Sequence, residues 1–299
     1  MQQESPRRVG MVAVVGRPNV GKSTLVNALV GEHVSITSRK PQTTRDRVLG
    51  VRTDPDAQYV FVDTPGFQRR HRSALARRMN DAVTSSLGGI DAIVFVIDAT
   101  GWTAADQEVL NLLPPPSTER VILALNKTDL IAQRDRLLPM MAESMQRYAF
   151  AAIVPISAEK DRQLDDLLKA IRTLLPEGLP LFDADQYTDR SARFMTAERV
   201  REKAYRLLGD ELPYGIAVTI DRWIEDEQRA EIAATLVVER EAHKPIVIGK
   251  AGAKLREISR LARLEIQEML GKQVHLEVWV RVRRGWSDDP AAMRKLGYE

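Results

Sequence analysis

The chain contains no cysteine, which excludes disulfides, thiolate metal sites and cysteine nucleophiles together. Histidine is scarce: His33, His71, His243 and His275 are scattered along the chain and suggest ordinary packing or surface placement rather than a metal cluster. No apolar run approaches the roughly 20 residues of a membrane span. The N-terminus, Met1-Gln2-Gln3-Glu4-Ser5-Pro6-Arg7-Arg8, lacks the apolar segment of a secretory signal, so a cytosolic protein is expected unless it is recruited to a surface. Net charge is also small, +3 for the whole chain, divided as +4 over residues 1–176 and −1 over residues 177–299. Bulk charge therefore nominates neither half as a nucleic-acid binder, and any such reading must rest on local pattern.

What is present is a chain of 299 residues, long enough for two domains with separate cores. The spacing predicts an N-terminal tail over 1–8, a first domain over 9–176, a linker over 177–190 and a second domain over 191–299. In the first domain short apolar runs alternate with helical patterns, the signature of a mostly parallel sheet flanked by helices. Six strands are expected, at 11–15, 48–52, 58–63, 92–98, 121–126 and 152–156. Such sheets take their ligands at the carboxyl ends of the strands.

Four motifs fall just past those ends. Gly16-Arg17-Pro18-Asn19-Val20-Gly21-Lys22-Ser23-Thr24 lies between the strand Val12–Val15 and a helical pattern, the context of a phosphate-binding loop. Its glycines let successive N–H groups turn inward onto phosphate oxygens at a helix N-terminus. Lys22 then reaches the β- and γ-phosphates, and Ser23 offers a hydroxyl to Mg2+. Asp63-Thr64-Pro65-Gly66 places a carboxylate for Mg2+ through a bound water and a glycine N–H for the γ-phosphate. In Asn126-Lys127-Thr128-Asp129 the Asp129 carboxylate accepts from N1–H and the exocyclic amine of guanine, which favours GTP over ATP. Past the last strand, Ser157-Ala158 offers a backbone N–H to the guanine O6. Between the first two motifs, the polar stretch Ile36–Asp46 contains Thr43-Thr44, a loop able to order on Mg2+ and the γ-phosphate; the residues alone do not separate the two threonines.

With these motifs in this order, the first half resembles a translation-factor-class GTPase. The resemblance implies that a threonine of the pair, Thr44, is the switch threonine that meets Mg2+, and that Lys22, Thr44, Gly66 and Asn19 carry the chemistry. One position departs from the common pattern. The residue after Gly66 is Phe67 rather than a water-orienting glutamine, and a phenyl ring cannot position water by hydrogen bonding. The chain resembles in this the GTPases with a hydrophobic residue there, some of which hold K+ near an asparagine of the glycine loop; Asn19 occupies that place. Slow intrinsic hydrolysis, assisted by K+ or a partner, is expected. The arginines of 67–80 read as a solvated second switch, and the stripe Leu137, Leu138, Met141, Met145 and Tyr148 reads as core.

Pro176-Glu177-Gly178-Leu179-Pro180 ends the last helix of the first half, and the pattern changes beyond it. The expected order is helix, strand, strand, short helix, helix, strand, with strands at 216–225, 231–241 and 275–283. Ile248-Gly249-Lys250-Ala251-Gly252 followed by Lys254 sits between an apolar segment and a helix start, with basic residues around it. This resembles a KH domain of the second topological type, whose G-x-x-G loop clamps about four nucleotides of single-stranded RNA.

A GTPase domain followed by such a domain resembles the Era family of bacterial GTPases, and the likeness extends to Glu211-Leu212-Pro213-Tyr214, Gly285-Trp286-Ser287-Asp288-Asp289 and Leu296-Gly297-Tyr298. It implies a monomer that binds GTP or GDP, Mg2+ and the 3′ end of 16S ribosomal RNA during assembly of the 30S subunit. It also implies peripheral contact with the cytoplasmic face of the inner membrane, which no residue here shows. The competing expectation is a signalling or membrane-associated GTPase whose second domain binds protein or anionic lipid. An ATP-using kinase is disfavoured by Asp129.

Overall fold

The computed structural model describes residues 7–37, 47–64, 89–208 and 215–296. The chain forms two compact units. The first includes the described residues to Ser35, those of 47–64 and those from 89 to Asp189; the second runs from Arg190 and takes in Ile36 and Thr37.

The first unit is an α/β layer structure. Its elements in order are β1 (Arg7–Val15), α1 (Lys22–Val30), β2 (Val48–Asp54), β3 (Ala57–Asp63), β4 (Ala92–Asp98), α2 (Ala104–Leu110), β5 (Val121–Asn126), α3 (Leu137–Arg147), β6 (Ala152–Pro155), α4 (Leu164–Leu174) and β7 (Glu177–Gly178). The sheet order is β2-β3-β1-β4-β5-β6, parallel except for β2 against β3, and β7 adds antiparallel to β1. Every residue of β3, β4 and β5 is buried, because helices cover both faces of a parallel sheet and leave no polar side.

Four details differ from the sequence reading, the first three for want of a partner visible in sequence. β1 begins at Arg7, since β7 pairs with Arg7 and Arg8 and the Arg8 guanidinium donates to Leu175 O at 2.8 Å. The seventh strand was not expected. Residues 177–189 are fastened to the first unit: Gln58 accepts from the N–H groups of Leu181 and Phe182 at 2.6 and 3.0 Å, Val51 N–H donates to Tyr187 O, and Thr188 bridges Gly50. The stripe on α3 is only partly core. Leu137, Met141 and Tyr148 pack against the buried cluster, but Leu138 and Met145 are each 70% exposed. Met140 and Ser144 are the buried residues of that helix.

The second unit sets α5 (Ala192–Leu207), α6 (His243–Ile248) and α7 (Ala253–Leu270) with a three-stranded sheet of β8 (Ile216–Glu225), β9 (Arg229–Val238) and β10 (Gln273–Val282), order β10-β9-β8. β8 is antiparallel and β10 parallel to β9. The alternation of strand side chains sends Ile232, Ala234, Leu236, Val274, Leu276, Val278 and Val280 into one core with Val200, Ala204, Ile258, Ala262 and Ile266 of the helices. The stretch after β10 is folded: Trp286 is fully buried, Ser287 Oγ donates to Glu239 at 2.5 Å, and Asp289 caps α8 (Pro290–Lys295).

Candidate GTP site and glycine-loop RNA interface

The loop between β1 and α1 is built by its glycines. Gly16 has φ +156° and Gly21 φ +97°; a Cβ on Gly16 would lie 2.4 Å from Val96 O, and one on Gly21 2.4 Å from the Asn126 carboxamide nitrogen. Asn19 also takes a positive φ of 64°, which asparagine tolerates better than most residues. The Lys22 ammonium is turned back over the loop, donating to Gly16 O and Arg17 O at 3.0 Å each. Burial pulls its pKa down to about 8, against a raising influence from the Asp63 carboxylate and a lowering one from Arg17. Ser23 Oγ donates to Asp63 Oδ2 at 2.9 Å, so two hard oxygen ligands from separate strand ends meet at the N-terminus of α1. Thr64 Oγ1 donates to Val14 O at 2.9 Å, tying the end of β3 to β1. Thr24 lies half-buried in the first turn of α1.

The Asn126 side chain joins three loops: its Nδ2 donates to Val20 O at 2.8 Å, and its Oδ1 accepts from Lys127 N at 2.8 Å and Ala158 N at 3.0 Å. Of the Ser157-Ala158 pair, from which the sequence offered a backbone N–H to the guanine O6, the Ala158 N–H is turned to Asn126. Ser157 Oγ donates to Asp129 Oδ1 at 2.5 Å and orients that carboxylate.

Two supporting residues escaped the sequence reading. Asp98 takes the Lys127 ammonium at 2.8 Å, while the same Nζ donates to Asn19 O at 2.8 Å; Lys127 thereby straps the glycine loop to the end of β4. Burial pushes the Asp98 carboxyl up, but hydrogen bonds from Lys127 and Thr100 outweigh this and hold its pKa below the usual value. Asp106, fully buried, takes Arg17 at 3.1 Å and closes a capping box with Thr103 at the start of α2; Arg17 also reaches Pro18 O at 3.4 Å. The position of Asp98 at the end of a continuously apolar strand was a usable signal. Nothing in the spacing pointed to Asp106. Thr43, Thr44, Pro65, Gly66, Phe67 and the arginines of 67–80 lie outside the described residues, as do Glu211–Tyr214 and Gly297-Tyr298.

In the second unit the four residues after half-buried Ile248 make a tight reversal: Gly249 (φ 70°), Ala251 (φ 49°) and Gly252 (φ 77°) all have positive φ, and α7 starts at Ala253. A Cβ on Gly249 would fall 2.9 Å from Lys254 Cβ, so glycine is required for the close approach. Ala251 holds a conformation that costs a non-glycine residue of order 1–3 kcal/mol. Lys250 and Arg256 are exposed and Lys254 is half-buried, and none of the three appears in an ion pair among the described residues. Their charge is free to face a phosphate chain.

A glycine loop set against a buried lysine, a strand-end aspartate and an asparagine-centred base loop defines a P-loop GTPase, here joined to a KH domain. A family described as "50S ribosome-binding GTPase" matches residues 11–127 and one described as "KH domain" matches residues 211–287. Along the full length, the chain is 53% identical to "GTPase Era" of Bordetella avium over 292 residues, covering 98% of each. Two solved structures are similar at 43% identity: Aquifex aeolicus Era bound to GDP·AlF4−, with TM-score 0.93 over 97% of this chain and 99% of that one, and Era in complex with MgGDPNP and nucleotides 1506–1542 of 16S ribosomal RNA, with TM-score 0.94 over 98% and 99%. The chain belongs to the Era family of GTPases. It is an enzyme of GTP hydrolysis.

Proposed function

We propose that this chain is a GTP-switched factor that binds the single-stranded 3′ end of 16S ribosomal RNA through its KH domain during assembly of the 30S subunit. The observation that carries the reading is the reversal at Gly249–Gly252, with Lys250, Lys254 and Arg256 beside it and in no ion pair among the described residues, in a chain that matches an RNA-bound Era over nearly its full length. The description "50S ribosome-binding" belongs to a family match confined to the first unit. Likeness that includes the second unit carries more weight for the RNA partner.

In this reading Gly16–Thr24 cradle the phosphates, Lys22 compensates the β- and γ-phosphate charge, and Asp129 reads guanine while Ser157 holds it in place. Asn126 acts chiefly by bracing the glycine loop and the Ser157-Ala158 loop around the base, and Lys127 by bracing Asn19. The adjoining oxygens of Ser23 and Asp63 suit Mg2+, a hard cation that takes few protein ligands and keeps several waters; Ser23 would hold it directly and Asp63 through water, with Thr44 as a third ligand. Mg2+ supplies charge neutralisation at the β- and γ-phosphates. Gly66, just after it in the chain order, would donate its N–H to the γ-phosphate.

Asn19 is exposed, its backbone is fixed by Lys127, and its carboxamide makes no hydrogen bond among the described residues, which leaves the side-chain oxygen available to K+. Turnover is expected to be severalfold faster in K+ than in Na+ at equal ionic strength, and Asn19→Ala should abolish the difference. Equal turnover in the two salts overturns the potassium assignment. The RNA assignment is tested by crosslinking the chain to cellular RNA and sequencing the bound fragments. Enrichment of the 16S 3′ end is expected; recovery spread over unrelated RNAs contradicts it.

A further inference from the structure

The helices of the second unit cover one face of its sheet. On the other face, the outward residues of β10 alternate with the core residues Val278, Val280 and Val282: Trp279 and Arg281 point away from the helices. Trp279 is 64% exposed, a large apolar surface left in water on a β-strand. It has no ring contact or cation over it among the described residues, and its indole N–H makes no hydrogen bond. Beside it lies a cavity of about 380 Å³ bounded by Asp221, Thr235, Trp279 and Arg281 of the sheet, by Glu241 of the turn that follows β9 and by Lys244 of α6.

The chemistry of this hollow is specific. Trp279 lies directly opposite Thr235 in the β9–β10 register, and Thr235 Oγ1 donates to Asp221 Oδ2 at 2.5 Å while Thr219 Oγ1 donates to Asp221 Oδ1 at 3.1 Å. Those hydroxyls pin the exposed Asp221 carboxylate at the side of the hollow with lone pairs still able to accept. Arg281 and Lys244 form no ion pair among the described residues. An indole face, a fixed acceptor and two uncommitted cations are what a nucleotide requires: a π surface for any base, an acceptor for an exocyclic amine and positive charge for the phosphate.

We propose that this outer face of the sheet holds one nucleotide of single-stranded RNA, with the base stacked on Trp279, its amino group on Asp221 and its phosphate between Arg281 and Lys244. The inference rests on the RNA-binding reading above and adds a second contact, apart from the glycine loop. The need for one follows from reach. A G-x-x-G loop clamps about four nucleotides, whereas the RNA bound to the similar Era spans nucleotides 1506–1542. An RNA strand leaving the loop has most of its length to place elsewhere, and this hollow belongs to the same domain. Asp221 and Glu241 bias the site toward bases that carry an amino group and against uracil.

The test uses the full chain and an RNA of the 16S 3′-end sequence, with affinity measured by filter binding and tryptophan emission followed in parallel. Trp279→Ala should weaken binding about tenfold or more, and Trp279→Phe should restore part of the affinity while abolishing the emission quench that RNA produces in the parent. Arg281→Ala should lower the salt slope of log affinity by about 0.7, one single-strand phosphate. GTP turnover and melting temperature should match the parent in all three, since the side chains are exposed and far in sequence from the phosphate loop. Parent affinity in both Trp279 variants overturns the proposal, and so does unchanged RNA affinity with lost 30S co-sedimentation, which would give the face to a protein partner. Gly252→Asp is measured alongside. If RNA affinity is unchanged in that variant as well as in the Trp279 variants, the RNA-binding reading itself fails; if it falls in that variant alone, only the second contact does.

Discussion

Asp129→Asn should lower GTP affinity by about 10²- to 10⁴-fold and raise affinity for xanthosine triphosphate. The effect follows from donor and acceptor counting. An ionised carboxylate accepts from the N1–H and the exocyclic amine of guanine at once, and each charge-assisted hydrogen bond is worth about 1.5–3 kcal/mol. A carboxamide presents one acceptor and one donor. Its donor meets the guanine amine with like polarity, but faces the C2 carbonyl of xanthine with a matching one. Ser157 sharpens the prediction, because its hydroxyl occupies Asp129 Oδ1 at 2.5 Å and fixes the carboxylate plane, so the variant cannot readily rotate away from the mismatch. Equilibrium titration with labelled nucleotides measures both arms. GTP affinity at the parent level would remove Asp129 from the base site.

Lys22→Met is the second large effect, and it acts in opposite directions on binding and on stability. The Lys22 side chain is 6% exposed, and burial holds its pKa at about 8 against an ordinary 10.5. Between pH 8 and 10.5 the unfolded chain keeps a proton that the folded chain has lost, so this group makes stability rise with pH across that window. Below pH 8 the buried ammonium costs on the order of 3 kcal/mol, partly offset by its bonds to the Gly16 and Arg17 carbonyls. The methionine variant is therefore expected to melt no lower than the parent at neutral pH without added nucleotide. Its affinity for GTP should nonetheless fall by about 10³-fold, since no positive charge then meets the β- and γ-phosphates. Phosphate beside Nζ favours the ammonium form, so parent affinity should be level below pH 8 and decline above it, by up to tenfold per unit. Calorimetric titration at several pH values checks the slope; retained affinity in the variant would refute the assignment.

The parts legible from the sequence are those in which neighbours along the chain carry the signal. β4 and β5 run over Ala92–Asp98 and Val121–Asn126, the limits expected, because strands buried on both faces show as unbroken apolar runs. β8 was equally plain through its alternation. β9 was read from 231 to 241 but spans Arg229–Val238: the charged residues at its end belong to the turn before α6, and nothing local marks the boundary. The strap of residues 177–189 read as irregular because what orders it, Gln58 and the edge strand β2, lies more than a hundred residues away. The same division holds in the site. Gly16, Lys22, Ser23, Asp63, Asn126 and Asp129 declared themselves by motif, whereas the pairs Lys127–Asp98 and Arg17–Asp106 exist only once the strand ends are brought together. The motif offered guanine a backbone N–H of Ser157-Ala158 without choosing between them; the Ala158 bond to Asn126 comes from the approach of two loops that no spacing encodes.

In the proposed function a nucleotide-dependent switch controls a KH surface that grips RNA at Gly249–Gly252. The most direct measurement is the affinity of the full chain for RNA of the 16S 3′-end sequence, in Mg·GDPNP and in Mg·GDP, for the parent and for Gly252→Asp. At that position φ is +77°, and the substitution puts both a strained side chain and a negative charge where phosphate must approach. The expected result is tighter binding by the parent in GDPNP than in GDP, and loss of about 10²-fold or more in the variant with GTP hydrolysis intact. Equal affinity in the two nucleotide states, together with parent-like binding by Gly252→Asp, would contradict the account.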